Sequence, residues 1–305
     1  MISAKNLTKK YGDTVVLDNL NFEINKGEVL GFLGPNGAGK TTTMRIITGF
    51  ISPSGGTIKV GELDVCEDSL EIRKKIGYLP ESNPLYYDMK VVEYIRFIAK
   101  VRGQNKERIK EIINICGLEK AANKPIGELS KGYKQRVGLA QAMIHDPDIL
   151  ILDEPTSGLD PNQIIEIRKL IKEIGKEKTV ILSTHILPEV TATCDKVIII
   201  NEGKIVAQGT TEELMTKAQG KTKIYFKIKA PQEQVIEKYK NIDAVEKIER
   251  VDKEADDIFG YNIEVAGSED LRGTIFRTAD SNGWTLLELT PQKANLEDVF
   301  HQLTR

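Results

Sequence analysis

The amino-acid sequence predicts an α/β fold with a mostly parallel sheet and helices on both faces, followed by a small α+β domain. Short apolar strands and amphipathic helices alternate from residue 148 to residue 200, as they do in parallel sheets. A glycine-rich segment at 34–41 lies between a predicted strand and a predicted helix. Beyond residue 220 the predicted order is β-α-β-β-α-β-α, which is typical of a ferredoxin-like domain. We therefore expect two domains, at 1–220 and 221–305.

The glycine-rich segment matches the pattern G-x-x-x-x-G-K-[ST], whose backbone N–H groups surround phosphate oxygens. Lys40 supplies a positive charge for the outer phosphates, and Thr41 offers a hydroxyl to Mg²⁺. Strand Glu28–Leu33 precedes the segment, and helix Thr42–Thr48 follows it with its positive dipole end toward the anion. The residues expected to bind the nucleotide are Gly34, Pro35, Asn36, Gly37, Ala38, Gly39, Lys40, Thr41 and Thr42. The segment therefore predicts a site for a nucleoside triphosphate.

Short strands separated by turns are predicted on either side of this segment. They are Ile2–Asn6, Val15–Leu17, Asn21–Ile24, Thr57–Val60 and Ile76–Leu79. From residue 84 to residue 145 the apolar period becomes helical. The first helix is predicted with Asp88 as its N-cap and Gly103 as its stop. The second ends at Gly117, and the third runs from Ser130 to about His145. A helical insert therefore separates two strand-bearing segments.

The alternation that follows the insert predicts a parallel sheet. Its strands are Asp148–Leu152, Thr179–Ser183 and Lys196–Ile200, and a turn then leads into Lys204–Ala207. One helix is bounded by Asp160 as its cap, Pro161 in its first turn and Gly175 at its end. Residues Thr210–Glu213 resemble a capping box that opens a short helix, and Gly220 closes it.

The C-terminal segment has apolar faces sufficient for a small core. Its predicted elements are strand Ile224–Ile228, helix Pro231–Lys240, strands Val245–Val251 and Ile258–Val265, helix Leu271–Asn282, strand Trp284–Leu289, and a final helix with Leu296, Val299, Phe300 and Leu303. We expect an accessory domain that folds on its own. The alternative is that these residues continue the core of the first domain.

Two carboxylates and a histidine follow predicted apolar strands, at the sheet edge where ligands bind in α/β folds. Asp153 is placed to hold Mg²⁺, and Glu154 to polarise an attacking water. The alternative for the two carboxylates is a surface acidic pair. His185 is predicted to contact the γ-phosphate or the catalytic water. A lone histidine is otherwise more often structural.

Composition and charge exclude several classes of protein. The net charge of −2 comes without a basic block, which argues against a nucleic-acid partner. No apolar run approaches the roughly 20 residues that cross a bilayer, and the N-terminus lacks the apolar core of a signal peptide. The cysteines Cys66, Cys116 and Cys194 are isolated, so each is expected to be a small buried apolar residue. We expect a cytosolic protein that docks on a membrane partner.

Several further motifs resemble those of ABC ATPases. Leu129–Arg136 resembles the signature motif of that family, Ser157–Asp160 its D-loop, and His185 its switch histidine. Tyr11 stands where the family stacks an aromatic ring on adenine; the alternative is an ordinary turn tyrosine. Six motifs occur in order over residues 1 to about 220. The resemblance implies a P-loop NTPase domain of the ABC type, with a mixed-sheet core, an antiparallel β subdomain and a helical subdomain, binding ATP and Mg²⁺.

The resemblance also implies partners. Ser130, Gly132 and Asp160 are expected to contact a nucleotide held by a second subunit, so the ATPase is a homodimer. Integral membrane permease subunits are expected to hold it, peripherally, on the inner face of the cell membrane. The groove that receives the permease is expected between Glu81 and Tyr94. Rival functions are a soluble ABC ATPase acting on nucleic acid or ribosomes, and a regulatory module that only dimerises.

The chain departs from the family pattern at three positions. Lys131 and Tyr133 stand where the signature commonly has Gly and Gln. Lys131 either adds positive charge near the opposing phosphate or is simply solvated. Glu81 replaces the usual glutamine of the Q-loop, where a carboxylate still reaches Mg²⁺ or water. This variant resembles ATPases that pair with ABC-2-type export permeases. Four segments in combination, 80–86, 130–136, 160–163 and 295–300, resemble the gliding-motility-associated ATPases within the family.

Overall fold

The computed structural model describes residues 1–218, 221–266, 270–292 and 300. The predicted stop Gly220 and the final helix through Leu296, Val299 and Leu303 lie outside the described residues. The chain divides into two compact units, Met1–Thr211 and a second that begins at Glu212. The division falls before the sequence-based boundary at 220 because the short helix that starts at residue 211 is grouped with the second unit. Independent folding of the two parts stays a prediction.

The elements alternate along the first unit much as the sequence predicts. Its strands are β1 (Ile2–Tyr11), β2 (Thr14–Ile24), β3 (Val29–Leu33), β4 (Gly55–Val60), β5 (Leu63–Asp64), β6 (Ile76–Leu79), β7 (Ile149–Asp153), β8 (Thr179–Thr184), β9 (Lys196–Asn201) and β10 (Lys204–Gly209). Its helices are α1 (Lys40–Ile47), α2 (Ser69–Lys75), α3 (Val91–Val101), α4 (Lys106–Ile115), α5 (Lys131–Met143), α6 (Pro161–Gly175) and α7 (Leu187–Thr193).

A six-stranded sheet forms the centre of the first unit, in the order β10-β9-β3-β8-β7-β6. Neighbouring strands from β9 to β6 are parallel, and only β10 pairs antiparallel at the edge. Every residue of β3, β7 and β8 is buried, as expected for strands covered on both faces. The adjacent strands β3, β8 and β7 end at the same edge. The segments after them therefore meet there.

The two faces of this sheet belong to two hydrophobic clusters, because side chains alternate along each strand. Ile149 and Ile151 pack in the cluster with α1 and with an antiparallel sheet of order β2-β1-β4-β5. Leu150 and Leu152 pack in the other cluster, with residues of α3, α4, α5 and α6. The antiparallel and helical subdomains implied by the resemblance are thus both present.

Two sequence predictions about elements are wrong, and two helices were not predicted. Asp88 is not the N-cap of α3: Lys90 is, because its backbone bridges to Pro125 and its N–H meets Glu93 Oε2 at 3.2 Å. The two short strands predicted within 15–24 form one strand with an irregular register, where Asn19 adopts φ 56°. Helices α2 and α7 were not predicted, because seven residues are too few to show a helical period.

The cysteines also differ from expectation. Cys116 is buried, and burial raises its pKa to about 12. Cys194 is only partly exposed, but Cys66 is exposed, so the prediction of a buried residue is wrong there. No helix in the described ranges is both long and apolar enough to cross a bilayer.

The second unit is a four-stranded antiparallel sheet with helices. Its elements are α8 (Thr211–Ala218), β11 (Lys221–Lys229), α9 (Gln232–Lys240), β12 (Val245–Ala255), β13 (Ile258–Ala266), α10 (Arg272–Ser281) and β14 (Thr285–Gln292). The sheet order is β12-β13-β11-β14. Buried residues of β11, α9, β13 and α10 form one cluster, in which the Phe226 and Tyr261 rings stack at 5.4 Å. The described part follows the predicted β-α-β-β-α-β order.

Candidate nucleotide-binding site

The loop between β3 and α1 has the backbone that the glycine pattern predicts. Gly37 and Gly39 adopt φ values of 82° and 108°, which side chains with a Cβ rarely tolerate. A Cβ on Gly34 would lie 2.3 Å from the carbonyl oxygen of Ile200. Gly39 is the N-cap of α1 and has no side chain to accept a hydrogen bond. The first N–H groups of the helix are therefore not capped by an N-cap side chain. The loop is therefore shaped to receive an anion at a helix N-terminus.

Lys40 is buried and folds back across this loop. Its Nζ donates to the carbonyl oxygens of Gly34 at 2.8 Å and Pro35 at 3.2 Å. The same Nζ lies 3.4 Å from Glu154 Oε1, a carboxylate that is also buried. A buried ammonium next to loop carbonyls and one carboxylate is held ready for a negatively charged ligand.

Asp153 lies at the end of β7 and is held by three hydroxyl groups. Its Oδ1 accepts hydrogen bonds from Ser183 Oγ at 2.6 Å and from Thr41 Oγ1 at 3.1 Å. Its Oδ2 accepts one from the Tyr78 hydroxyl at 3.4 Å. Burial, reinforced by the charge of Asp153, raises the pKa of Tyr78 to about 12, so this hydroxyl stays a donor. The contact from Tyr78 was not predicted.

The Thr41 hydroxyl and the Asp153 carboxylate fit a magnesium ion, which prefers hard oxygen ligands. In the described ranges, no group of three or more His, Cys, Asp or Glu side chains is placed to hold a metal. Mg²⁺ bound here would therefore take its remaining ligands from the nucleotide and from water, as it usually does.

Glu154 and His185 contact one another directly. The backbone of Glu154 is left-handed, with φ 49°, and its N–H donates to Ser183 at both Oγ (3.0 Å) and the carbonyl oxygen (3.2 Å). Its Oε2 lies 2.9 Å from His185 Nδ1. Because a carboxylate only accepts hydrogen bonds, Nδ1 carries the proton and Nε2 is left for another partner. The strained turn after β7 thus aims Glu154 at both Lys40 and His185.

Lys40, Thr41, Glu154 and His185 line one cleft of about 500 Å³, whereas Asp153, expected to hold Mg²⁺, does not line it and is joined to it through Thr41. It is lined by Val16, Asn36, Gly37, Gly39, Lys40, Thr41, Thr42, Glu81, Glu154, Ser157 and His185. Val16 was missed by the sequence reasoning. The alternation of side chains along β2 could have indicated Val16, because Leu17 is buried in the core and the preceding residue, Val16, points to the opposite face.

Four of the residues expected to bind the nucleotide of their own subunit do not line this cleft. Gly34 and Pro35 instead accept hydrogen bonds from Lys40, and Ala38 is buried and accepts from the N–H of Gly203. Tyr11 is 51% exposed, with Lys9 Nζ 4.9 Å from its ring centre. Its stacking on adenine stays a prediction.

The signature motif and the end of the D-loop lie together, and neither Ser130, Gly132 nor Asp160 lines the cleft. Ser130 caps α5 by accepting from the N–H of Tyr133, and Asp160 caps α6 by accepting from that of Gln163. A Cβ added to Gly132 would lie 2.8 Å from the Gln163 side chain, so a larger residue would require that side chain to shift.

The Lys131 ammonium lies against the turn of the D-loop. A Cβ on Gly158 would come within 2.2 Å of Lys131 Nζ. The exposed side chain therefore extends over the D-loop turn of its own chain, and its role toward an opposing phosphate stays a prediction. This location places a positive charge beside the signature motif.

Comparison with known proteins identifies the family of the chain. Residues 17–157 match the family model described as ABC transporter. The bacitracin transport ATP-binding protein BcrA of Bacillus licheniformis is 35% identical, covering 99% of this chain and 97% of that protein. The Nod factor export ATP-binding protein I of Ralstonia nicotianae is 31% identical, covering 100% of this chain and 94% of that protein.

Solved structures of ABC transporter cassettes share the fold of this chain. The dimeric structure of MJ0796, a bacterial ABC transporter cassette, aligns with a TM-score of 0.63 and 29% identity, over 69% of this chain and 98% of that one. The post-hydrolysis state of the same cassette, bound to ADP and Pi, aligns with a TM-score of 0.62 and 27% identity, again over 69% and 98%. The chain therefore belongs to the family of ATP-binding subunits of ABC transporters, and it is an ATPase.

Proposed function

We propose that this ATPase dimerises on ATP and drives a separate membrane permease, in the direction of export. The observation that carries the proposal is the separation of its site into two parts. Lys40, Thr41, Glu154 and His185 line one cleft, with Asp153 hydrogen-bonded to Thr41 behind it, while Ser130 and Gly132 of the signature motif lie outside it. Each part lacks what the other supplies.

The first part carries the chemistry of hydrolysis. Lys40 and the N–H groups at the start of α1 would bind the phosphates. Thr41 and Asp153 would hold Mg²⁺, with Glu81 at the cleft reaching the ion or one of its waters, and the ion would supply charge neutralisation at the phosphates. Glu154 polarises the attacking water, and it is kept from turning away by its contacts with Lys40 and His185. His185 Nε2 is left to contact the γ-phosphate or that water.

The second part supplies the adhesive contact of a dimer. Ser130 holds the first turn of α5, whose N–H groups suit the γ-phosphate of a nucleotide on a second copy. Lys131 adds positive charge at the same place. Bound ATP then joins two copies head to tail, and hydrolysis removes the phosphate that holds them. The existence of a dimeric form of the related cassette supports a dimer of this chain.

Ser130→Arg is expected to abolish ATP-driven dimerisation while leaving nucleotide binding by the monomer unchanged. The large side chain would occupy the place of the opposing phosphate, whereas the cleft is built from other residues. Size-exclusion chromatography with and without MgATP, combined with calorimetry of nucleotide binding, measures both effects. Ser130→Ala is the matched control: it loses only the cap, which costs about 1 kcal/mol of stability. Loss of affinity by the Ser130→Arg monomer would contradict a composite site.

The surface for the permease is expected on the side of the helical subdomain. The exposed rings of Tyr86 and Phe97 lie 6.0 Å apart, and Tyr86 also packs edge-on against Tyr94. A neighbouring apolar cleft of about 290 Å³ includes Phe50, which is 72% exposed. None of residues 81–94, where the groove was expected, lines that cleft. We therefore extend the proposed surface to include Phe50, because exposed aromatic residues are enriched at interfaces.

Co-purification tests the permease. We expect the chain, isolated gently from membranes, to retain a polytopic membrane protein, and Phe50→Asp and Tyr86→Asp each to lose it without losing ATPase activity. Val251→Asp, on an exposed apolar residue of β12, is the control. Recovery of ribosomes or nucleic acid instead would favour the soluble alternative. Export is supported by the name of the Nod factor export relative, whereas the finer resemblance to gliding-motility-associated ATPases stays a prediction.

A further inference from the structure

Glu189, on α7, is a buried carboxylate that the proposed mechanism does not use. Its side chain is 3% exposed and does not line the nucleotide cleft. Both oxygens are nonetheless engaged: Oε1 accepts from Thr156 Oγ1 at 2.5 Å and Oε2 from Thr184 Oγ1 at 2.7 Å. Burying an ionised carboxylate is costly, so its contacts need an explanation beyond packing.

The two hydroxyl groups belong to the two loops that carry the reactive pair. Thr156 lies two residues after Glu154 and directly before Ser157, which lines the cleft. Thr184 directly precedes His185, and its Oγ1 also accepts from the N–H of Ile186 at 3.0 Å. Since a hydroxyl has a single proton, donation to Glu189 orients Thr184 to accept from Ile186. The chain is thereby held on both sides of His185.

A positive charge accompanies this carboxylate. Arg168 Nη2, on α6, lies 3.8 Å from Glu189 Oε1. Helix α6 begins directly after Asp160, at the end of the D-loop, so a third segment of the site is tied to the same carboxylate. Glu189 thus connects the loop of Glu154, the loop of His185 and the helix after the D-loop.

We propose that Glu189 is a positioning residue that keeps Glu154 and His185 in the geometry needed for hydrolysis. The proposal rests on the roles assigned above to that pair, whose contact is 2.9 Å long. Without the two hydroxyl bonds, each loop is free to shift relative to the other, and the pair loses its alignment. The phosphate-binding loop has no contact of this kind with Glu189, so nucleotide binding is unaffected.

Glu189→Gln tests this directly because glutamine keeps the shape and loses the charge. We expect kcat to fall at least about tenfold, since a misplacement of about 1 Å can cost about 100-fold. We expect KM for ATP and the affinity for nucleotide to stay within about twofold, the signature of a loss confined to the chemical step. Thr156→Val and Thr184→Val should each lower kcat in the same way, and they remain informative if Glu189→Gln fails to fold. Glu173→Gln, which removes an exposed partner of Lys176 on α6, should leave activity unchanged.

A double-variant measurement separates positioning from mere stability. Glu189→Gln is introduced into His185→Ala, and single-turnover hydrolysis is followed in all four proteins. If Glu189 acts through Glu154 and His185, Glu189→Gln should lower the single-turnover rate much less in the His185→Ala protein than in the unmodified chain. An equal fold-loss in both backgrounds, or an unchanged kcat in Glu189→Gln, would overturn the inference. Full activity of His185→Ala and Glu154→Gln would instead contradict the proposed function itself.

Discussion

Glu154→Gln is expected to nearly stop ATP turnover while MgATP still binds, so that the ATP-bound dimer accumulates. Glutamine keeps the size of the side chain but is not a base, and loss of a general base typically costs about 100-fold to 10,000-fold in rate. Glu154 is the carboxylate that reaches both Lys40 and His185 at the edge of the cleft. No contact that holds Asp153 passes through the Glu154 side chain. The metal site should therefore survive the change.

Hydrolysis assays and size-exclusion chromatography with ATP measure the two effects together. Glu173→Gln, an exposed glutamate on α6, is the control for the chemical change itself. Turnover close to that of the unmodified chain would remove Glu154 from the mechanism. If Glu154→Gln loses turnover but no ATP-bound dimer accumulates, the catalytic role of Glu154 would stand. The proposal that bound ATP joins the two subunits would then be contradicted.

Lys40→Ala is expected to weaken nucleotide binding about tenfold to 100-fold, because hydrogen bonds to charged groups are worth about 1.5–3 kcal/mol. The buried ammonium donates to the carbonyl oxygens of Gly34 and Pro35, so its loss also loosens the loop. Glu154 then loses its nearest cation, and repulsion between this carboxylate and the phosphates adds to the effect.

Calorimetry with ATP and ADP measures the change in affinity. Lys59→Ala, on the exposed side of β4, removes one positive charge without touching the cleft and serves as the control. Equal affinities for Lys40→Ala and the unmodified chain would show that residues 34–41 are not the phosphate-binding loop. A larger effect on ATP than on ADP is expected, because the lysine serves the outer phosphates.

Much of the fold was predictable because its signals are local. Apolar runs such as 149–152 predict strands buried on both faces, and Gly103 and Gly117, with φ values of 68° and 62°, lie just beyond helix ends as expected. Ser130 and Asp160 are the N-caps of α5 and α6, as expected because Ser and Asp are preferred at that position. The N-cap at Asp88 was wrong because the bridge between Lys90 and Pro125 depends on a segment far along the chain.

The phosphate-binding loop could be predicted from the sequence alone, since its glycines, Lys40 and Thr41 are close along the chain and their backbone requirements are local. The strands before Asp153 and His185 were equally predictable, and with them the position of both residues at one edge of the sheet. Which side chains meet at that edge depends on the tertiary structure. Tyr78 reaches Asp153, and Glu189 joins Thr156 to Thr184, through contacts that depend on strand order and helix packing. Tyr78 and Asp153 are 75 positions apart in the sequence, and Thr156 and Glu189 are 33 apart. Local sequence patterns do not predict these contacts, because the side chains come together and become buried only when the whole domain has folded.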